Sequence, residues 1–228
     1  MTTAKLLTRP GFKRKDFSVT FSLSDVTDVE HFVARKTELA KIHKALSGDG
    51  SRCTVVLHGL GGIGKTQLAV AYAKRHKDDY SGIFWLNIKD EDSLKQSFLK
   101  VAKQISREHP SALRISNVET FENLDKVVDA VKAWLSLPYN TRWLMIYDNY
   151  DSPKLSGKTD PAAVDIRKYL PESYQGSIII TTRSSQVKNG HVIHVRKLEK
   201  VRDSLEILSN ASKRKGVADG KDLHVFLS

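Results

Sequence analysis

The sequence predicts a three-layer α/β fold in which helices cover both faces of a mainly parallel, five-stranded sheet. Short β-branched and apolar segments recur along the chain, as expected for strands that are buried on both faces. Segments with apolar residues at helical spacing alternate with them. This alternation places parallel strands between two helical layers. A glycine-rich stretch, LHGLGGIGKTQLA at residues 57–69, separates the first strand from the helix that follows it.

Composition limits the classes of protein to which the chain can belong. It has 228 residues, of which 40% are hydrophobic and 28% are charged. These values are typical of a soluble globular domain. The single cysteine excludes an internal disulfide framework, and no apolar run is long enough for a membrane span. We therefore expect a cytoplasmic protein with no membrane partner.

The first helix and strand lead into the glycine-rich stretch. ARKTELAKIHKAL, at residues 34–46, predicts a helix whose apolar face carries Leu39, Ile42 and Leu46. CTVVLH, at residues 53–58, is typical of a buried strand. KTQLAVAYAKRH, after the glycines, is rich in alanine and straight-chain residues and predicts a helix.

Two further helices flank a long loop. GIFWLNI at residues 82–88 predicts a second strand, and the helix after it carries apolar residues at helical spacing: Leu94, Phe98, Val101 and Ile105. Residues 106–118 include Pro110 and are predicted to be a loop. The next helix, within residues 120–135, has its own apolar face: Phe121, Leu124, Val128, Val131 and Leu135.

The remaining strands complete the sheet. RWLMIYD, GSIIITTR and HVIHV, at residues 142–148, 176–183 and 191–195, predict the third, fourth and fifth strands. EKVRDSLEILSNAS, at residues 199–212, predicts one more helix.

The glycine-rich stretch fits the phosphate-binding pattern G-x-x-x-x-G-K-[ST], known as the P-loop or Walker A motif. Backbone N–H groups and the helix N-terminus together favour an anion. Lys65 is expected to reach the β- and γ-phosphates of a nucleotide, and the Thr66 hydroxyl to bind Mg²⁺. The motif predicts a P-loop NTPase fold and these nucleotide-binding residues: Gly59, Gly61, Gly62, Ile63, Gly64, Lys65, Thr66 and Gln67.

Asp148 is the predicted second anchor for magnesium. It ends the apolar strand WLMIYD, which is what a Walker B strand requires. A turn-starting aspartate is the alternative interpretation. One predicted strand lies between the P-loop strand and this one in sequence, an order that indicates the P-loop division with an added central strand.

The position directly after Asp148 does not provide a general base for hydrolysis. Asn149 follows it, and an amide cannot act as a base. Asp151 is the nearest acidic alternative, although it could equally be a cap before Pro153. We therefore expect slow or absent hydrolysis of ATP.

Arg183 ends the fourth strand, IIITTR. If this strand pairs beside the Walker B strand, its carboxyl end opens into the same crevice. A guanidinium there could bind the γ-phosphate. The alternative is an ordinary surface arginine.

In combination and in this order, HFVARKTEL, HGLGGIGKTQLA, WLMIYDN and SIIITTR resemble the NB-ARC domain of STAND-class P-loop NTPases. That domain is the switch module of apoptotic scaffolds and NOD-like immune receptors. The four segments are most similar in sequence to receptors of filamentous fungi. The resemblance implies that Phe32, Val33, Ala34 and Arg35 hold the adenine. Ala34 is a departure, since glycine is frequent there.

The resemblance also implies a division of the chain and a set of partners. Residues 1–30 would be an arm or linker, 31–198 the nucleotide-binding domain, and 199–228 the first helix of a truncated helical subdomain. The rest of that subdomain, the winged helix, the sensor repeats and the effector domain would be partners missing from this segment. We expect the segment alone to be a monomer and the full receptor an oligomer.

The function expected from sequence is a switch that binds ATP or ADP with Mg²⁺. A nucleotide-binding scaffold without turnover is the first alternative, and Asn149 supports it. A DNA-acting ATPase is the second, supported only by the net charge of +11. Basic triplets occur near both ends, where solvated tails are common, so we do not expect a nucleic-acid partner.

Overall fold

The computed structural model describes residues 17–22, 35–48, 50–110, 123–154 and 163–198. Its five strands form a sheet of order β2-β3-β4-β1-β5 in which every pairing is parallel. The strands are β1 (Cys53–His58), β2 (Gly82–Asn87), β3 (Trp143–Asp148), β4 (Ser177–Thr182) and β5 (His191–His194). The α-helices are α1 (Lys36–Leu46), α2 (Lys65–Arg75), α3 (Glu91–Glu108) and α4 (Leu124–Leu135).

Alternate residues of each strand pack into two separate apolar clusters, because successive side chains point to opposite faces of a sheet. In β3, Met145 packs with α3 and α4, whereas Leu144 and Ile146 pack with α1 and α2. Neither the β3 nor the β4 strand has an exposed residue. The predicted three-layer arrangement, with helices on both faces, is confirmed.

The sheet order explains how the site is assembled. β4 comes late in sequence but lies between β1 and β3, pairing with both. It is the added central strand indicated by the sequence. The carboxyl ends of β1, β4 and β3 therefore meet beside the loop that joins β1 to α2.

The predicted elements agree with the structure in position, with one correction. Residues 106–118 were predicted to be a loop, but α3 continues through Glu108, and His109 is its C-cap. The helix ends there because Pro110 disfavours helical backbone at the residue before it. Among the other expectations, Phe121 and the helix at 199–212 lie outside the described residues.

A short N-terminal segment, residues 17–22, packs beside the β2 edge of the fold. The Val19 N–H donates to the Ser81 carbonyl at 2.7 Å, and the Val19 side chain is buried. The ring of Phe17 meets Trp134 of α4 edge-on at 5.8 Å. No helix within the described residues is both long enough and apolar enough to cross a bilayer.

Candidate functional site

The loop between β1 and α2 curves tightly, and two of its glycines are required by the backbone. A Cβ at Gly59 would lie 2.5 Å from the Val195 carbonyl oxygen at the end of β5, so no larger residue fits there. Gly64 has φ +91°, a left-handed conformation that glycine adopts without strain. It is the N-cap of α2, and its conformation turns the chain directly into that helix.

Lys65, the first residue of α2, folds back onto this loop. Its Nζ donates to the carbonyl oxygens of Gly59 and Leu60, both at 2.8 Å. Burial lowers the pKa of the ammonium group, while the negative charges of Asp151 and Asp148 act in the opposite direction. A cation that is poorly hydrated and held only by two uncharged carbonyl groups is well placed to bind an anion.

Asp148 is buried at the end of β3 and is held by two hydroxyl groups. Thr66 Oγ1 donates to its Oδ1 at 2.9 Å, and Thr181 Oγ1 donates to the same oxygen at 2.6 Å. Burial raises the pKa of the Asp148 carboxyl, and these two hydrogen bonds and Lys65 partly offset that shift.

Thr181 is a residue that sequence reasoning missed. It is buried on β4, and its hydroxyl also accepts the Asn149 N–H at 3.0 Å. It thereby fixes both the Asp148 carboxylate and the residue after it, which has φ +69°. The sequence places Thr181 near the end of a predicted strand, which is the one indication of its role. Only the sheet order shows that this strand, β4, lies beside β3 and so brings Thr181 to Asp148.

Asp151 and Arg183 form an ion pair across the end of the crevice. The Asp151 carboxylate accepts the Arg183 backbone N–H and its Nε, both at 2.6 Å. The Arg183 side chain remains 62% exposed, so part of the guanidinium faces outward. A Cβ at Gly61 would lie 3.5 Å from Arg183 Cδ, which places the arginine over the glycine loop.

These residues line a cleft of about 490 Å³ at the carboxyl edge of the sheet. Its lining residues are Gly61, Gly62, Gly64, Lys65, Thr66, Gln67, Asn149, Asp151, Thr181 and Arg183. A second cleft of about 740 Å³ lies toward β2 and α3 and shares Thr66, Gln67 and Asn149 with the first. Asp148 lines this second cleft, so it faces the crevice from the β3 side.

Arg35 links the glycine loop to the start of α1 and the end of β5. Its Nη2 donates to the Ile63 carbonyl at 2.7 Å, and its Nη1 donates to the Arg196 carbonyl at 3.1 Å. The side chain is only 7% exposed. The structure thus places Arg35 against the loop, while Phe32, Val33 and Ala34 lie outside the described residues. The adenine contact of these four residues stays a prediction.

The donor set beside the glycine loop fits Mg²⁺. This ion prefers oxygen ligands in octahedral geometry at about 2.0–2.1 Å. The Thr66 hydroxyl and the Asp148 carboxylate are two such oxygen ligands side by side, joined by the hydrogen bond from Thr66 Oγ1 to Asp148 Oδ1.

Comparison with known proteins agrees with this geometry. The family model of the NB-ARC domain matches residues 35–217, which is most of the chain. The chain belongs to the NB-ARC family. It is therefore a nucleotide-binding domain of the STAND class, as the resemblance implied.

A curated relative and two solved structures are also similar. A nucleotide-binding leucine-rich repeat (NLR)-like protein of Hyaloscypha variabilis is 28% identical over 200 residues, covering 81% of this chain and 19% of its own length. The chain thus spans about a fifth of that NLR-like protein. The ORC2 protein of Aeropyrum pernix, solved in ADPNP-ADP complexes, is 14% identical with a TM-score of 0.48, covering 88% of this chain and 55% of its own. Cdc6p of Pyrobaculum aerophilum is 14% identical with a TM-score of 0.45, and the alignment covers 87% of this chain and 52% of Cdc6p.

Proposed function

We propose that this NB-ARC domain is a Mg²⁺-dependent switch that binds ATP or ADP and hydrolyses ATP slowly or not at all. The observation that carries the proposal is the convergence of Lys65, Thr66 and Asp148 beside the glycine loop. One cation, one hydroxyl and one buried carboxylate are the groups that a magnesium nucleotide requires.

In this proposal, each group has a separate task. The loop N–H groups and the α2 N-terminus bind the β-phosphate, and Lys65 exchanges its loop carbonyls for phosphate oxygens. Thr66 and Asp148 would hold Mg²⁺, directly or through water, and the ion would neutralise phosphate charge. The two threonine hydroxyls donate to Oδ1 of Asp148, and we therefore propose that Oδ2 binds the ion or its water.

Arg183 is the proposed detector of the γ-phosphate. Its guanidinium has two candidate partners, the Asp151 carboxylate and a phosphate placed over Gly61. Binding of the γ-phosphate would draw Arg183 from Asp151, because bidentate contact with a phosphate is strong. The bound nucleotide would then favour one domain arrangement of a full receptor over another.

The full receptor carries the rest of the proposed function. We infer that the helical and winged-helix subdomains, the sensor repeats and an effector domain are the partners through which the nucleotide state is read. An NLR-like relative about five times longer than the matched region supports a larger protein of this kind. We propose a cytoplasmic location and assembly into an oligomer for that receptor.

A scaffold that holds nucleotide without turnover is the second candidate. Asn149 offers no base, and the Asp151 carboxylate is engaged by both the backbone and the side chain of Arg183. A carboxylate used in this way is poorly placed to position a water molecule. The rate of hydrolysis separates the two candidates.

We expect phosphate release from saturating Mg·ATP to be far below the ~1–10³ s⁻¹ typical of enzymes. The reason is the missing base beside Asp148. In addition, among the described residues that line the two clefts, no arginine accompanies Arg183 to stabilise charge, and such a group can be worth ~10³–10⁵ in rate. If slow hydrolysis occurs, Asp151→Asn and Arg183→Ala should each reduce it further. The measurement is steady-state phosphate release for the parent and both variants.

Two controls make this assay decisive. Lys65→Ala reports contaminating ATPase activity, and Arg107→Ala removes an exposed guanidinium elsewhere on α3. A parent rate of several per second would contradict the switch, and a parent rate equal to that of Lys65→Ala would favour the scaffold. Slow turnover that neither variant changes would remove Asp151 and Arg183 from the mechanism.

A further inference from the structure

A group of aromatic and metal-binding side chains lies at the far end of α2 from the glycine loop. His76 is the C-cap of that helix, and its ring stacks on those of Tyr72 at 4.6 Å and His43 at 4.3 Å. The two imidazole planes differ by only 17°. The stacking brings His76 against α1, which carries His43. Because an ion binds an imidazole in the plane of its ring, the exposed His43 ring would turn out of this stack for both histidines to bind one ion.

Asp79 completes the group. Its Oδ2 lies 2.8 Å from His76 Nδ1, in the short 3-10 helix Lys77–Asp79 that follows α2. One ligand atom from each of His43, His76 and Asp79 lies within 4.8 Å of the other two. Zinc binds imidazole nitrogen and carboxylate oxygen at about 2.0–2.2 Å, which sets tetrahedral ligand atoms about 3.4 Å apart. Ligand atoms at the full 4.8 Å would therefore approach by about 1.4 Å, whereas His76 Nδ1 and Asp79 Oδ2 would move apart by about 0.6 Å to bind the same ion.

The group can make this adjustment. His43 and Asp79 are exposed, and His76 is half-buried, so the outer two ligands are not confined by the core. The Asp79–His76 contact already brings the carboxylate and an imidazole nitrogen together, and a bound ion would replace the hydrogen bond between them.

We propose that His43, His76 and Asp79 form a binding site for Zn²⁺ or another divalent ion that prefers imidazole, with water in the fourth position. Two imidazoles and one carboxylate favour zinc-like ions over Mg²⁺ and Ca²⁺, which prefer oxygen alone. The site is separate from the nucleotide cleft, because α2 runs from Lys65 to Arg75, a length of roughly 16 Å.

Occupation of the site would join α1 to the end of α2. His43 belongs to α1, which begins directly after Arg35, and Arg35 holds the Ile63 carbonyl of the glycine loop. The ion would thus brace the two helices that support the nucleotide site. A ligand that binds only the folded state also raises its melting temperature by mass action.

The test is calorimetric titration of Zn²⁺ into metal-free, tag-free protein without nucleotide, with Co²⁺ absorption as a second probe of ligand geometry. We expect one high-affinity Zn²⁺ per chain, a visible tetrahedral Co²⁺ band, and no such binding of Mg²⁺ or Ca²⁺. Loss of an outer-shell partner alone costs about 10–100-fold in metal affinity, so His43→Ala and Asp79→Asn, which remove direct ligands, should each weaken Zn²⁺ binding by at least that much. Both should also remove the rise in melting temperature.

The matched control is His194→Ala. His194 and His58 are another close pair of imidazoles, with their Nδ1 atoms 3.1 Å apart on β5 and β1. His194→Ala should leave Zn²⁺ affinity unchanged, and all variants should keep the parent circular dichroism spectrum. The absence of Zn²⁺ binding by the parent would overturn the proposal. Binding that His43→Ala leaves intact, or that His194→Ala removes, would also overturn it.

Discussion

Lys65→Ala is expected to weaken the binding of ATP and ADP by at least about 100-fold while the domain stays folded. A hydrogen bond to a charged group is worth about 1.5–3 kcal/mol, and the ammonium would make two with phosphate oxygens. Each 1.4 kcal/mol is about tenfold in affinity. The lysine lines a cleft and its Nζ contacts loop carbonyls, so its removal opens no cavity in either apolar cluster.

Equilibrium titration with a fluorescent adenine nucleotide checks this expectation. Lys41→Ala is the matched control, because it removes one exposed lysine from α1 and changes the net charge equally. Far-ultraviolet circular dichroism of both variants should match the parent. Normal affinity in Lys65→Ala, or loss of its folded spectrum, would contradict the assignment of the loop.

Asp148→Asn is expected to abolish the part of the nucleotide affinity that depends on Mg²⁺. An amide oxygen can still accept the hydroxyls of Thr66 and Thr181, so the local structure should persist. The amide of the variant, however, carries no negative charge that could bind the metal ion. Titrations in Mg²⁺ and in EDTA should therefore coincide for the variant and differ for the parent. An equal loss of affinity in both conditions would show that Asp148 has a structural role instead.

The same variant should be more stable than the parent in the absence of nucleotide and metal. Burial raises the pKa of the Asp148 carboxyl in the folded state, so the folded state binds this proton more tightly than the unfolded chain. The contribution of that carboxyl to stability is lost as the pH rises through its folded-state pKa. Thermal unfolding in EDTA at neutral pH should show a higher melting temperature for Asp148→Asn. The gain should shrink as the pH falls toward the ordinary value of 3.8.

The sequence contained enough information for most of the fold. Strands such as β3 and β4 are buried over their whole length, so their apolar runs stand out from the polar chain around them. The glycine-rich pattern stood out because a phosphate cradle requires glycines at a fixed spacing. Asp148 stood out because a buried strand rarely ends in a carboxylate without a partner.

The contacts between distant segments could not be read from the sequence. The bonds from Arg35 to the carbonyls of Ile63 and Arg196 join residues that are 28 and 161 positions apart. The Asp151–Arg183 ion pair and the stacking of His43 on His76 likewise depend on how the elements are packed. Periodicity predicts which face of an element is buried, but not which partner it meets.

The most direct test of the central claim is the identity of the nucleotide that co-purifies with the protein. Purified protein is denatured, and the released compounds are separated by ion-exchange chromatography and quantified against protein, with Lys65→Ala as the control. We predict an adenine nucleotide, ADP or ATP, at close to one per chain in the parent and none in the variant. A guanine nucleotide would contradict this account, as would a parent that carries no nucleotide and fails to bind added Mg·ATP or Mg·ADP.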